Sequence, residues 1–204
     1  PNGEGSGSSY VIFGKNSGFD AILDISNLDG SNGFRLNGVA EGDQSGYSLS
    51  TAGDVNGDGF DDIIIGANYA DANGENSGAS YVIFGKASGF DATVELSSLD
   101  GNNGFRLEGA VAGDYSGRSV STAGDFNGDG FADLIIGAFG AEPNGQDSGS
   151  SYLVYGKASG FSASLNLADL GSSDGILLNG LAAGASLGKS VSSAGDVNND
   201  GFDD

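Results

Sequence analysis

Apolar residues arrive in short bursts separated by long polar, glycine-rich stretches. Ile63-Ile64-Ile65 and Tyr81-Val82-Ile83-Phe84 are continuous apolar runs, whereas Tyr47 to Ala52 alternates. Continuous runs of this length fit strands buried on both faces, and alternation fits a half-buried strand. One unit then reads as four strands: Tyr47 to Ala52, Ile63 to Ala67, Ala79 to Gly85, and Phe105 to Gly109. Thr93 to Leu96 predicts an extra short strand inside the connection from Lys86 to Asn103. No segment carries helical periodicity.

The pattern repeats without slipping. Asp54, Asp125 and Asp196 stand 71 residues apart, and the same step relates Ile12-Phe13-Gly14-Lys15 to Ile83-Phe84-Gly85-Lys86 and Val154-Tyr155-Gly156-Lys157. Gly33-Phe34-Arg35-Leu36, Gly104-Phe105-Arg106-Leu107 and Gly175-Ile176-Leu177-Leu178 keep it too. Four short strands per unit, repeated with turn signals between them, predict an all-β fold of four-stranded antiparallel propeller blades. Solenoid rungs are much shorter than this repeat, and a β-sandwich has no reason to place one loop at a fixed step. The expected division is a partial blade over 1–38, complete blades over 39–109 and 110–180, and a partial blade over 181–204. Closed propellers use about four to eight blades, so this set is an incomplete propeller that needs further blades of a parent chain or self-association. With no methionine anywhere, the chain is expected to be an excerpt or a processed product.

Between the first two strands of each unit lies an acidic loop. Asp54, Asn56, Asp58 and Asp62 hold loop positions 1, 3, 5 and 9, with Phe60 at position 7. Asp125, Asn127, Asp129, Phe131 and Asp133 repeat the set, and Asp196, Asn198, Asp200, Phe202 and Asp204 repeat it again. Calcium takes six to eight oxygens at ~2.3–2.6 Å, which alternate inward side chains and the position-7 carbonyl can largely supply. The position-7 side chain is then free to enter a core. Gly59, Gly130 and Gly201 suit a sharp reversal with positive φ. At position 4 Gly57, Gly128 and Asn199 all tolerate the left-handed region. A plain turn needs two such residues, not three carboxylates in nine positions, which would repel one another by ~1 kcal/mol per pair even in water. An EF-hand wants glutamate at position 12 between helices, where this chain has Ile65 in a β-branched run. The third site, at a free carboxyl terminus, is expected to be the weakest.

Composition narrows the chemistry. The chain has 39 glycines, 2 prolines, no histidine and no cysteine. That excludes a disulfide framework, a His/Cys zinc site and a Ser-His-Asp or Cys-His nucleophile. The recurring carboxylates read as ligands rather than catalysts, so no enzyme is expected. A formal charge of −21 opposes nucleic acid and anionic membranes. No apolar run approaches the ~20 residues of a membrane-spanning helix.

The residues around the loops resemble FG-GAP repeats, the blades of integrin alpha-subunit propellers and of many bacterial secreted and surface proteins. Gly66-Ala67 and Gly137-Ala138 match the GAP element. Ser45-Gly46, Ser116-Gly117 and Leu187-Gly188 stand where Phe-Gly is usual, and Asn68 and Phe139 replace the GAP proline. The resemblance implies calcium in the hairpin loops and an adhesive or ligand-binding role. Strand parity places Asn68 to Gly78, Phe139 to Gly149, Val39 to Gly46 and Ala110 to Gly117 on the face opposite the calcium loops. That face is expected to bind protein or carbohydrate, with Tyr69 and Phe139 as aromatic anchors. Loops of this ligand set resemble the weaker extracellular class, with dissociation constants on the order of 10⁻⁴–10⁻³ M, which fits an extracellular or cell-surface location. A non-catalytic propeller attached to a secreted hydrolase and a rigid structural spacer are the alternatives.

Overall fold

The computed structural model describes residues 2–87 and 89–204. Its regular structure is almost entirely β, broken among the described residues by single-turn 3₁₀ segments at Ile25–Asn27, Leu96–Ser98 and Leu167–Asp169. The central sheet contains β3 (Ser48–Gly53), β4 (Asp62–Ala67), β5 (Ala79–Ile83) and β7 (Gly104–Glu108), joined antiparallel in that order. The following sheet repeats this arrangement with β8 (Ser119–Gly124), β9 (Asp133–Ala138), β10 (Ser150–Val154) and β12 (Gly175–Asn179). The preceding sheet holds β1 (Ser8–Ile12) antiparallel to β2 (Gly33–Asn37). The fold is an incomplete β-propeller, with one four-stranded antiparallel set stacked on the next.

The short strand anticipated near Thr93 exists, but it does not join its own repeat. β6 (Thr93–Glu95) pairs in parallel with β2 of the preceding sheet, and β11 (Ser164–Asn166) pairs the same way with β7. Arg35 N donates to Ala92 O and Arg106 N to Ala163 O at the head of each pairing. Each repeat therefore reaches back and covers the outer edge of the sheet before it, which removes an exposed strand edge.

Apolar continuity in the sequence becomes two-sided burial in space. β5 and β10 are buried at every position. One core lies between the central and following sheets and interleaves Ile64, Val82 and Leu107 with Leu134, Ile136 and Val154. A second joins Phe34 and Leu36 to Ile65, Tyr81 and Ile83. Phenylalanine trios recur at the repeat step: Phe34 stacks on Phe90 at 4.2 Å with Phe13 at their edge, and Phe105 stacks on Phe161 at 4.6 Å with Phe84 at theirs. Residues 190–195 correspond to a first strand but carry no strand pairing, although Ala194 N and Asp204 N exchange backbone bonds across the loop with Asp204 O and Gly195 O. The counterpart of Ile63–Ala67, which would pair with them, does not occur in the chain.

Because Phe105 is 2% exposed and ties β7 to the next repeat through Phe161, Phe105→Ala should lower the unfolding free energy by about 3–5 kcal/mol. Equilibrium denaturation in urea measures this, with the larger part of the loss retained in Phe105→Leu if ring stacking rather than volume carries the contact.

Candidate functional site

Each acidic loop begins just after a bulge in the first strand. The pairing of β3 with β4 slips between Thr51 and Gly53, and that of β8 with β9 slips between Thr122 and Gly124. The extra residue bends the strand and aims the chain into the loop. Inside the first loop, Asp54 Oδ1 accepts from the Gly57 and Asp58 amides at 2.7 and 3.0 Å, and its Oδ2 accepts from Gly59 at 2.8 Å. Asn56 Oδ1 accepts from Asp58 N, and Asp58 Oδ1 accepts from Phe60 N. The second loop repeats this net through Asp125, Asn127 and Asp129. In the third, Asp196 accepts from the Asp200 and Gly201 amides, and Asp200 from Phe202 N.

The position-9 carboxylate behaves differently. Asp62 is 1% exposed; its Oδ2 accepts from Val55 N at 2.9 Å and its Oδ1 from Gly85 N at 2.8 Å. Asp133 is equally buried and accepts from Phe126, Asn127 and Gly156 amides. Asp204 accepts from Val197 N alone among these equivalents. Burial pushes the Asp62 and Asp133 carboxyls up from 3.8 to about 6, even though their backbone N–H donors pull the other way. Nearby Asp58 and Asp54 add to the rise at Asp62, and Asp129 adds to it at Asp133. No basic group among the described residues relieves either acid.

The loops thus hold all fifteen anticipated residues at the anticipated hairpins, with the side-chain oxygens at positions 1, 3 and 5 folded onto the loop's own amides and the carboxylate at position 9 turned into the blade. Among the described residues, no three carboxylates are gathered in the geometry of a metal cluster. The donor chemistry nevertheless fits a hard cation: every side-chain donor is oxygen, and the position-9 acids are buried without a counter-charge.

Backbone expectations at the glycines hold. Gly57, Gly128 and Asn199 have φ of 73, 74 and 59°, and Gly59, Gly130 and Gly201 also lie at positive φ. The position-7 side chain does not enter a core. Phe131 lies across Gly57 of the preceding loop, where a built Cβ would stand 2.4 Å from its ring, and Phe202 lies across Gly128 at 2.3 Å. Phe60 and Phe202 remain 40% and 47% exposed. Ala132 N donates to Asp54 O, Lys157 N to Val55 O, and Asp125 N to Asp203 Oδ2, so consecutive loops are bonded to one another.

On the opposite face, the 68–78 loop packs on the 110–117 loop through Gly113 N to Glu75 O, Tyr115 N to Asn76 O and Ser116 N to Ser77 O. Tyr69 and Phe139 stand there as expected, but they belong to a longer aromatic row. Tyr47 meets Tyr69 edge-on, Tyr69 meets Tyr115 edge-on, and Tyr115 stacks on Phe139 at 5.4 Å. The Arg118 guanidinium lies 4.4 Å from the Tyr47 ring centre and 5.7 Å from that of Phe139. Tyr47, Tyr115 and Arg118 carried no local signal, because their repeat equivalents differ and the row forms only across two repeats.

Stacked antiparallel sheets with an acidic hairpin loop at one step of the chain define a repeat β-propeller domain. Residues 45–83 and 116–154 each match the family model described as FG-GAP repeat, spanning the first three strands and the acidic loop of each unit. The chain is 35% identical over 104 residues to integrin alpha-PS5 of Drosophila melanogaster, covering 51% of this chain and 10% of that protein. It is 35% identical over 95 residues to mouse (Mus musculus) integrin alpha-2, covering 47% and 8%. Integrin alpha-PS2 of Drosophila melanogaster is 32% identical over 135 residues, 64% of this chain and 9% of its own length. The chain carries FG-GAP repeats and is an integrin alpha-like domain, spanning about a tenth of the length of the curated relatives it matches.

Gly128 needs both a left-handed backbone and room for Phe202, whereas Gly130 needs only the backbone, since nothing lies within 4 Å of its built Cβ. Gly130→Ala should cost about 1–2 kcal/mol and Gly128→Ala more, the difference in denaturant midpoints reporting the Phe202 contact. A carboxyl raised in the folded state keeps its proton there after the unfolded chain has lost its own, so stability falls as pH rises between 3.8 and about 6. Melting temperatures in calcium-free buffer should fall across that window, and Asp133→Asn should make the slope shallower.

Proposed function

We propose that the chain is a calcium-binding propeller module of an extracellular or cell-surface protein, built of repeat units 39–109 and 110–180 with partial units on either side. Its loops hold calcium and its opposite face binds a protein or carbohydrate partner. The observation that carries the calcium reading is the buried position-9 carboxylate, present twice with the same backbone partners, beside an all-oxygen donor set and without any basic neighbour among the described residues. In the first loop, Asp54, Asn56, Asp58 and Asp62 with the Phe60 carbonyl would supply the ligands. Asp125, Asn127, Asp129, Phe131 and Asp133 would do so in the second. Asp196, Asn198, Asp200, Phe202 and Asp204 would do so in the third. The cation would offset the mutual repulsion of each set and fix its hairpin.

The adhesive part of the reading rests on the integrin alpha relatives and on the aromatic row of the opposite face, in which rigid rings sit on packed loops. No catalysis is assigned, since the chain lacks histidine and cysteine and its repeated acids are occupied as described. Among the described residues, no helix is long and apolar enough to cross a membrane. Further blades of a longer protein, or a second copy, would complete the stack.

Calcium should raise the melting temperature and EGTA should reverse it. At a hundredfold excess over the dissociation constant, each site contributes about 2.7 kcal/mol. Calorimetric titration should give dissociation constants on the order of 10⁻⁴–10⁻³ M. Asp58→Asn, at an exposed position, should weaken one site about tenfold without moving the calcium-free melt, on the ligand-charge dependence of such loops. A melting curve indifferent to calcium defeats the reading.

A further inference from the structure

A cavity of about 570 Å³ opens in the 110–180 unit, walled by Asp114, Glu142, Asp147, Tyr152, Leu177 and Asn179. The residues that line it have counterparts one repeat earlier, and the comparison shows what is missing. Asp43, Tyr81 and Arg106 stand 71 positions before Asp114, Tyr152 and Leu177. In the earlier unit the Arg106 guanidinium occupies the space: it pairs with Glu108, lies beside the Tyr81 phenol, and lowers the Asp43 carboxyl against the effect of burial. One repeat earlier again, Arg35 does the same beside Tyr10, with its centre 5.9 Å from the ring, and donates to Ser8 Oγ at 3.0 Å. Ser150 is the counterpart of Ser8, and it lines the cavity. Two repeats supply their own guanidinium at this register and the third supplies a leucine.

What remains in the third unit is a cation site without its cation. Asp114 is 6% exposed, and among the described residues its Oδ2 accepts only from Val111 N. Burial raises its carboxyl, Glu142 raises it further, and no basic group acts in the other direction, in contrast to Asp43. Tyr152 is 4% exposed, lines the cavity, and its phenol has no hydrogen-bond partner among the described residues. No lining residue is basic. A buried acid with a single backbone donor and a buried phenol with no partner cost free energy that a donor-rich planar cation removes. The volume is in the range that holds a small molecule rather than a lone ion.

We propose that this cavity binds a guanidinium group brought from outside the chain, taking the place that Arg106 and Arg35 fill in the preceding repeats. Asp114 and Tyr152 receive the guanidinium, Ser150 accepts a further N–H, and Glu142 and Asp147 set the negative field at the mouth. The group arrives either on a small molecule or on an arginine side chain. Only the second source rests on the partner-binding face proposed above, on which the 110–117 and 139–149 loops lie, and none of it rests on calcium.

The test is titration of the 204-residue chain with L-arginine amide at constant ionic strength, by calorimetry or ligand-observed NMR, with L-citrulline amide as the uncharged isostere. Arginine amide should bind at one site and citrulline amide at least tenfold more weakly. Leu177→Arg, which restores the arrangement of the earlier repeat, should fill the cavity, abolish binding and raise the melting temperature. Asp114→Asn should weaken binding at least tenfold. Absence of saturable arginine amide binding overturns the proposal, as does binding left intact in Leu177→Arg, a variant whose side chain the neighbouring repeats already accommodate. A capped Gly-Gly-Arg-Gly-Gly peptide sorts the source: equal binding assigns a partner's side chain, and binding of the amide alone assigns a small molecule while removing the partner. Repeating the titration in EGTA separates the pocket from the calcium reading, because its walls lie on the other face of the blade and binding should persist.

Discussion

A buried aspartate that accepts main-chain hydrogens from two directions holds each complete unit together. Asp62 sits at the first residue of β4, takes Val55 N from the acidic loop on one oxygen and Gly85 N from the β5–β7 connection on the other. Three segments far apart in sequence are fixed by one carboxylate. Asp133 repeats the arrangement with Phe126 and Gly156. Charged acceptors make stronger hydrogen bonds than neutral ones, but an ionised group this buried carries a desolvation cost that its amides only partly offset. The protein therefore concentrates its electrostatic tension at the junction of loop and strand, where an external cation has most to contribute.

The second dependence runs between repeats. A sheet apolar on both faces cannot stand alone, and here each one is covered by its neighbours: core residues interleave between sheets, and β6 and β11 reach back to close the preceding outer edge. Stability of this kind accumulates as unit terms plus nearest-neighbour terms, as in other repeat proteins. The stacked pairs Phe34–Phe90 and Phe105–Phe161 are nearest-neighbour terms in that sense, since each ring pair straddles two repeats.

This division explains which features were legible in the sequence. Strands such as Ile63–Ala67, the turn at Gly59 and the left-handed backbone at Asn199 are local, and their residue types announce them. The extra strand at Thr93 was legible as a strand, but its parallel partner β2 was not, because nothing local distinguishes an edge in its own sheet from an edge in the previous one. For the same reason Phe131 was expected in a core and lies instead on Gly57 of another loop. The aromatic row from Tyr47 to Phe139 was only half visible, through Tyr69 and Phe139, since Tyr115 links them from a repeat position occupied elsewhere by Gln44 and Ser186.

Differences between otherwise equivalent positions follow from the same neighbour logic. Loop position 8 reads Asp61, Ala132 and Asp203, an irregular choice if the residue were a metal ligand. Its surroundings give it a different role, at the contact with the preceding unit. Ala132 Cβ stands 2.6 Å from a Cβ built on the bulge glycine Gly53, and the Asp203 side chain lies equally close to Gly124. Asp203 adds a bond from Asp125 N to its Oδ2 at 3.0 Å, and Ala132 contributes only its backbone N–H to Asp54 O. Both side chains stay small enough to let the bulge of the preceding sheet approach, and the glycine at that bulge, with φ of 72 or 71°, is needed on two counts. Variation at position 8 is thus tuned to the contact between units, while positions 1, 5 and 9 stay aspartate in all three copies because they serve the loop itself.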